Sequence, residues 1–111
     1  MEIIDFGKAK AKEITNFHSL KAFYTKITKS EAPITIGFIH IEQGGVVGYH
    51  LAPVPQLFIV VEGEGWVEGE NQKRVNVRSG EGVIWRKWEG HTSGSDSGLT
   101  ALVLESEELK L

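Results

Sequence analysis

From residue 33 onward, apolar residues fall in short runs separated by glycine-rich or polar turns. The run 34-ITIGFIHI-41 is rich in β-branched residues and stops at Gln43-Gly44-Gly45. Residues 46-VVGYH-50 and 57-LFIVVE-62 follow, with Pro53 and Pro55 between them marking a strand end or edge. Then come 65-GWVEG-69, a polar turn at Glu70-Asn71-Gln72, 74-RVNVR-78, a turn at Ser79-Gly80, and 83-VIWRK-87. The segment 98-GLTALVLE-105 closes the series ahead of a charged tail, 106-SEELKL-111. Short strands with turn signals between them predict an all-β sandwich or barrel. Upstream, 22-AFYTKI-27 is a strand candidate, and 7-GKAKAKEI-14 reads as a short helix or a loop. No repeat, low-complexity tract or linker interrupts the chain, so a single domain over 1–111 is expected.

Alternation assigns faces. In 56-QLFIVVE-62, Gln56, Phe58, Val60 and Glu62 share one face, and Leu57, Ile59 and Val61 share the other. Both faces are apolar over most of the run, so both need cover. One belongs to a barrel interior; the other needs the N-terminal segment or a second subunit. The expectation is a homodimer that buries the Leu57, Ile59 and Val61 face, with an interface of at least about 1,200 Å².

Composition narrows the class. The chain has 111 residues, enough for one ordinary core, with 41% hydrophobic and 24% charged residues. A net charge of -3 argues against nucleic acid, whose phosphates demand a basic face. No long apolar run is visible in the first thirty residues, so neither a signal peptide nor a membrane partner is expected, and a cytoplasmic location is the default. With no cysteine there is no disulfide, thiolate nucleophile or zinc knuckle. No glycine loop with a following lysine cradles phosphate, and no nucleophile elbow is present.

The chemistry-bearing residues that remain have a recognisable spacing. Gly44 leads after five residues to His50, Gln56 follows, and Gly63 closes the stretch; Gly80 and His91 bound a second one. This pattern resembles the two signature motifs of the cupin superfamily over roughly residues 34–105. The resemblance implies a double-stranded β-helix, the jelly-roll barrel. The family's motifs place three histidines and a glutamate around one divalent metal of the Mn, Fe, Ni, Cu or Zn kind. Here Ala52 stands at the second histidine position and Gln56 at the glutamate, while Arg86 and Trp88 replace the proline and glycine of the second motif. His50 and His91 are the remaining strong ligands, with the Gln56 carbonyl a weak third. The resemblance therefore implies a barrel-mouth pocket for a small polar molecule, lined by His50, Gln56 and His91. A metal-dependent oxygenase or isomerase remains an alternative, as does metal-free isomerase or epimerase chemistry with the two histidines as acid and base.

Other residues stand at the margin of this site. Trp85 adjoins the second motif, either as core or as a stacking wall for a ring-shaped ligand. His40 shares parity with Ile34, Ile36 and Phe38, so it approaches the cavity if that face points inward and packs at an edge if it does not. Glu89 either orients His91 or faces water.

Overall fold

The computed structural model describes all residues, Met1–Leu111, and is built almost wholly from antiparallel strands. These are β1 (Glu2–Asp5), β2 (Lys12–Glu13), β3 (Phe23–Tyr24), β4 (Thr35–Ile41) and β5 (Gly45–Leu51). After them come β6 (Gln56–Glu68), β7 (Arg74–Arg78), β8 (Glu81–Trp85), β9 (Gly90–Ser95) and β10 (Leu99–Glu105). One layer runs β1-β8-β6-β10-β4, and the other is β5-β9-β6-β7. The 13-residue β6 belongs to both: its first half pairs β8 and β10, its second half β7 and β9. No helix is long and apolar enough to cross a membrane.

A shared strand must bend, and the bend has a local cause. Opposite β10 the register slips between Thr100 and Ala101, so Thr100 faces Glu62 while Ala101 faces Val60, and Val61 is left over. Such a bulge adds one residue to one strand and reverses the alternation beyond it. Gly63 follows at φ +80°, and a Cβ there would lie 2.2 Å from the Gly98 carbonyl oxygen. Only glycine carries the chain around this corner without strain.

The bulge corrects the simple two-face reading of this strand. Phe58 and Val60 do point into the main core, with Val67, Val77, Val83, Trp85, Leu99, Ala101 and Val103. Glu62 lies beyond the slip and is exposed, and Val61 is exposed rather than aligned with Leu57 and Ile59.

Leu57 and Ile59 are already covered. They form a second cluster with Leu104, and Phe6, Ile27, Ile34 and Leu109 pack against it. The chain's own N-terminal segment and tail thus bury Leu57 and Ile59, the first of the two covers that the alternation allowed. Phe6 and Ile27 do this work from outside any strand, where periodicity carries no information.

Other segments also differ from the reading of the sequence, β9 for a clear physical reason. β9, 90-GHTSGS-95, lacks the large apolar side chains that mark a strand. It forms because β5 and β6 offer hydrogen-bonding edges on either side, and Gly94 lets Trp66 lie where a Cβ would come within 2.3 Å of the ring. β1 is a short strand added to the edge of β8. The segment 22–27 keeps only Phe23–Tyr24 as strand, and 7–14 holds a single 3-10 turn at Lys8–Lys10 followed by β2.

Candidate functional site

β5 and β9 pair so that His50 and His91 are direct cross-strand partners. Their ring centroids lie 4.3 Å apart at 60°. His91 is buried; His50 stands beside it on the solvent side. Both imidazoles have the same orientation lock. His50 Nδ1 is 2.8 Å from the Gly48 carbonyl oxygen, and His91 Nδ1 is 3.1 Å from the Glu89 carbonyl oxygen. A carbonyl only accepts, so in each neutral ring Nδ1 carries the proton and Nε2 keeps its lone pair. Neither Nε2 bonds a protein group.

Trp85, at the end of β8, forms the wall behind His91. The rings stack at 3.9 Å and 14°, and Phe58 meets the indole edge-on at 5.8 Å. Trp85 is fully buried, with one face against His91. Its Nε1 is the one buried side-chain nitrogen or oxygen without a partner. A buried unpaired donor costs about 1–3 kcal/mol relative to a satisfied one.

Gln56 lies across from Trp85 in the β6–β8 ladder and across from Glu105 in the β6–β10 ladder. Its amide donates from Nε2 to Glu105 Oε1 at 2.8 Å. Sequence reading did not single out Glu105; only the register of two distant strands joins it to Gln56. Ala52 is buried in the main core, and its backbone accepts from the Trp88 N–H and donates to the Glu89 carbonyl.

Electrostatics distinguish His91. Burial pushes its pKa below the ordinary imidazole value, and the neighbouring His50 adds to the shift, against the opposing pull of the Glu89 carbonyl and carboxylate. His91 is therefore neutral near pH 7. The Glu89 carboxylate does not orient the imidazole: it accepts from the Arg86 N–H at 2.9 Å and pairs with the Met1 ammonium. Its partial burial works to raise its pKa, but these two partners outweigh that and hold it below the usual carboxylate value.

The structure brings His50, His91 and Trp85 together, with Gln56 beside Trp85 in the next ladder, and sets His40 apart. His40 lies on the outward side of β4, with Nδ1 3.2 Å from Thr100 Oγ1. It lines a separate 420 Å³ cleft with Glu42, Glu62 and Thr100. Larger cavities of 530 and 460 Å³ lie around Glu64, Arg78 and Asp96 and around Pro55, Arg86 and Leu109, and neither includes His50 or His91.

The donor set does not fit a resident divalent metal. No group of three or more histidine, cysteine, aspartate or glutamate side chains converges anywhere in the chain. Two imidazoles stand alone, a methyl occupies position 52, and the Gln56 amide is engaged with Glu105. Open transition-metal sites are built from at least three such donors, as in the two-histidine, one-carboxylate triad, and here only two converge.

A family model described as a cupin domain matches residues 37–106. Among curated proteins, none matches the chain in sequence. Solved structures resemble it at low identity. A conserved protein of unknown function from Streptococcus pyogenes is 14% identical, with TM-score 0.62, covering 73% of this chain and 71% of that one. A cupin superfamily protein from Desulfitobacterium hafniense is 11% identical, with TM-score 0.63, covering 72% of each chain. Salicylate 1,2-dioxygenase from Pseudoaminobacter salicylatoxidans, solved as adducts with gentisate, is 15% identical at TM-score 0.62. That likeness covers 66% of this chain but 20% of the dioxygenase.

Proposed function

The chain belongs to the cupin family, and we propose that it binds a small polar molecule at the His50–His91 end of its barrel without a resident metal. One observation carries this reading: two adjacent imidazoles whose Nδ1 atoms are spent on the Gly48 and Glu89 backbone carbonyls, leaving an Nε2 lone pair free on each ring. Such a pair accepts hydrogen bonds, so the ligand it suits carries hydroxyl or amide protons. Gln56 shapes the neighbouring wall, held in place by Glu105. Because a buried acceptor rejects a ligand that lacks the matching donor, this complement supports selectivity as well as affinity.

A second reading draws on the neutral state of His91. An imidazole held unprotonated near pH 7 is a ready base, and an adjacent, more exposed imidazole is a suitable acid, which together would isomerise or epimerise a bound hydroxy or keto compound.

The test is thermal unfolding of the parent and His50→Ala in the presence of a monosaccharide, a 2-keto acid, a 2-hydroxy acid and gentisate, the aromatic acid held by the dioxygenase neighbour. A ligand at 100 times its Kd stabilises the folded chain by about 2.7 kcal/mol. The expected result is a rise with at least one compound in the parent and its loss in His50→Ala. An equal rise in both proteins would place the binding elsewhere. Proton NMR of the same mixtures distinguishes binding from turnover.

A further inference from the structure

A cavity of 530 Å³ opens where β6, β7 and the turn after β9 meet, away from the histidine pair. A volume of this order suits a small organic ligand. His91 stands near the start of β9 and Asp96 just beyond its end, so the two sites lie roughly 16 Å apart by strand rise.

One wall is the outward row of the β6–β7 ladder. Glu64 faces Arg78, Trp66 faces Asn76 and Glu68 faces Arg74, while the intervening Val67 and Val77 point into the core. Opposed side chains of this kind stand about 4.5–5.5 Å apart at Cβ, and opposite charges attract across the gap. Two rungs carry the same pair, a glutamate on β6 and an arginine on β7, yet they behave differently. Arg74 Nε reaches Glu68 Oε1 at 3.0 Å, and its guanidinium lies 3.6 Å over the Trp66 ring. Arg78 and Glu64 form no ion pair, with each other or with any other side chain. Both line the cavity instead, with Asp96, Asn76 and Ser97, none of whose side chains is spent on a charged partner in the protein. Glu81 adds a third carboxylate, fixed by the Arg78 N–H, which donates to its Oε1 at 3.0 Å. The Trp66 indole, packed over Gly94 and under Arg74, supplies the apolar part of the wall.

We propose that this cavity binds a free α-amino acid, and a basic one in preference. A cation and an anion that oppose each other without closing present, in one site, both partners of a zwitterion. The Arg78 guanidinium takes the α-carboxylate as a two-point fork, and Glu64 and Asp96 take the α-ammonium. Carboxylates alone would attract any cation; the arginine selects ligands that also carry an anion. Three carboxylates against one guanidinium leave the cavity net negative, which favours a ligand whose side chain carries a second positive charge.

NMR titration of backbone amide and indole signals with L-lysine, L-alanine, cadaverine and glutarate tests it. Cadaverine is the lysine skeleton without its carboxylate, and glutarate has carboxylates without an ammonium. L-Lysine produces saturable shifts at Trp66, Arg78 and Asp96 and leaves the His91 signals in place. It binds more tightly than L-alanine, and at least about ten-fold more tightly than cadaverine or glutarate, because each of those lacks one charge-assisted contact. Added salt weakens binding, since the charged side chains are exposed. Arg78→Met, also at an exposed position, abolishes the preference for lysine over cadaverine, and Asp96→Asn weakens lysine, alanine and cadaverine together. Cadaverine carries two positive charges against a net one on lysine, so an acidic surface without carboxylate recognition would hold cadaverine more tightly. Cadaverine equal to or tighter than lysine in the parent therefore overturns the proposal. So do an absence of saturable shifts with lysine, shifts centred on His50 and His91 instead of Trp66, and an Arg78→Met protein that keeps the lysine preference.

Discussion

Lowering the pH should destabilise this protein through His91 specifically. Its folded pKa lies below the ordinary value of about 6.5 because burial disfavours the imidazolium. Above pH 6.5 the ring is neutral in both folded and unfolded chains, and its contribution to stability is fully present. As the pH falls below 6.5, the unfolded chain takes up a proton that the folded chain refuses, so stability declines until the folded pKa is reached. The loss between pH 7.5 and 5.5 has a ceiling of about 1.4 kcal/mol, reached by a ring that stays neutral in the folded state over that whole range. In a domain of this size that ceiling corresponds to a fall in Tm of about 6 °C. The assay is urea unfolding followed by tryptophan fluorescence across this range, on the parent and His91→Gln. Glutamine does not titrate and keeps a donor for the Glu89 carbonyl, so the variant loses absolute stability but also loses this part of the pH slope. Titrations common to both proteins cancel in the difference. Parallel pH profiles would refute the reasoning, because they would mean that the folded protein protonates His91 as readily as the unfolded chain does.

Three further outcomes follow from particular contacts. Gly63→Ala forces a left-handed alanine against the Gly98 carbonyl, and denaturant titration should show a loss of about 3 kcal/mol from backbone strain plus overlap; a loss below about 1 kcal/mol would mean the corner does not need glycine. Ala52→His combined with Gln56→Glu should raise affinity for Ni or Zn at least about ten-fold in chelator competition, despite about 1–3 kcal/mol of overpacking at the buried alanine. Equal affinity in the two proteins would show that position 52 is not aligned with the histidine pair. Arg74→Ala removes a guanidinium 3.6 Å above the Trp66 ring and its 3.0 Å bond to Glu68, and should cost about 1 kcal/mol together with a change in Trp66 fluorescence.

What the sequence determined by itself was local in origin. β-branched runs set β4, β6 and β10, glycine turns separated them, and motif spacing singled out His50 and His91 before any fold was known. These signals are legible because each depends on neighbours a few residues away. Even the degeneracy of the site was written in the chain, as Ala52 and Gln56. Tertiary structure decided the rest. The bulge at Val61 reversed the facing of β6 beyond Val60, which strict alternation does not foresee. β9 exists because two edges waited for it, not because 90-GHTSGS-95 favours a strand. The link from Gln56 to Glu105 and the stacking of Trp85 on His91 depend on the register of strands far apart in sequence. Phe6 and Ile27 became cover for Leu57 and Ile59, while Phe17 and Leu20, of the same apolar character, were left in solvent. Burial is a property of what surrounds a side chain in space, and the one-dimensional pattern cannot say which of two equal hydrophobes the fold will cover.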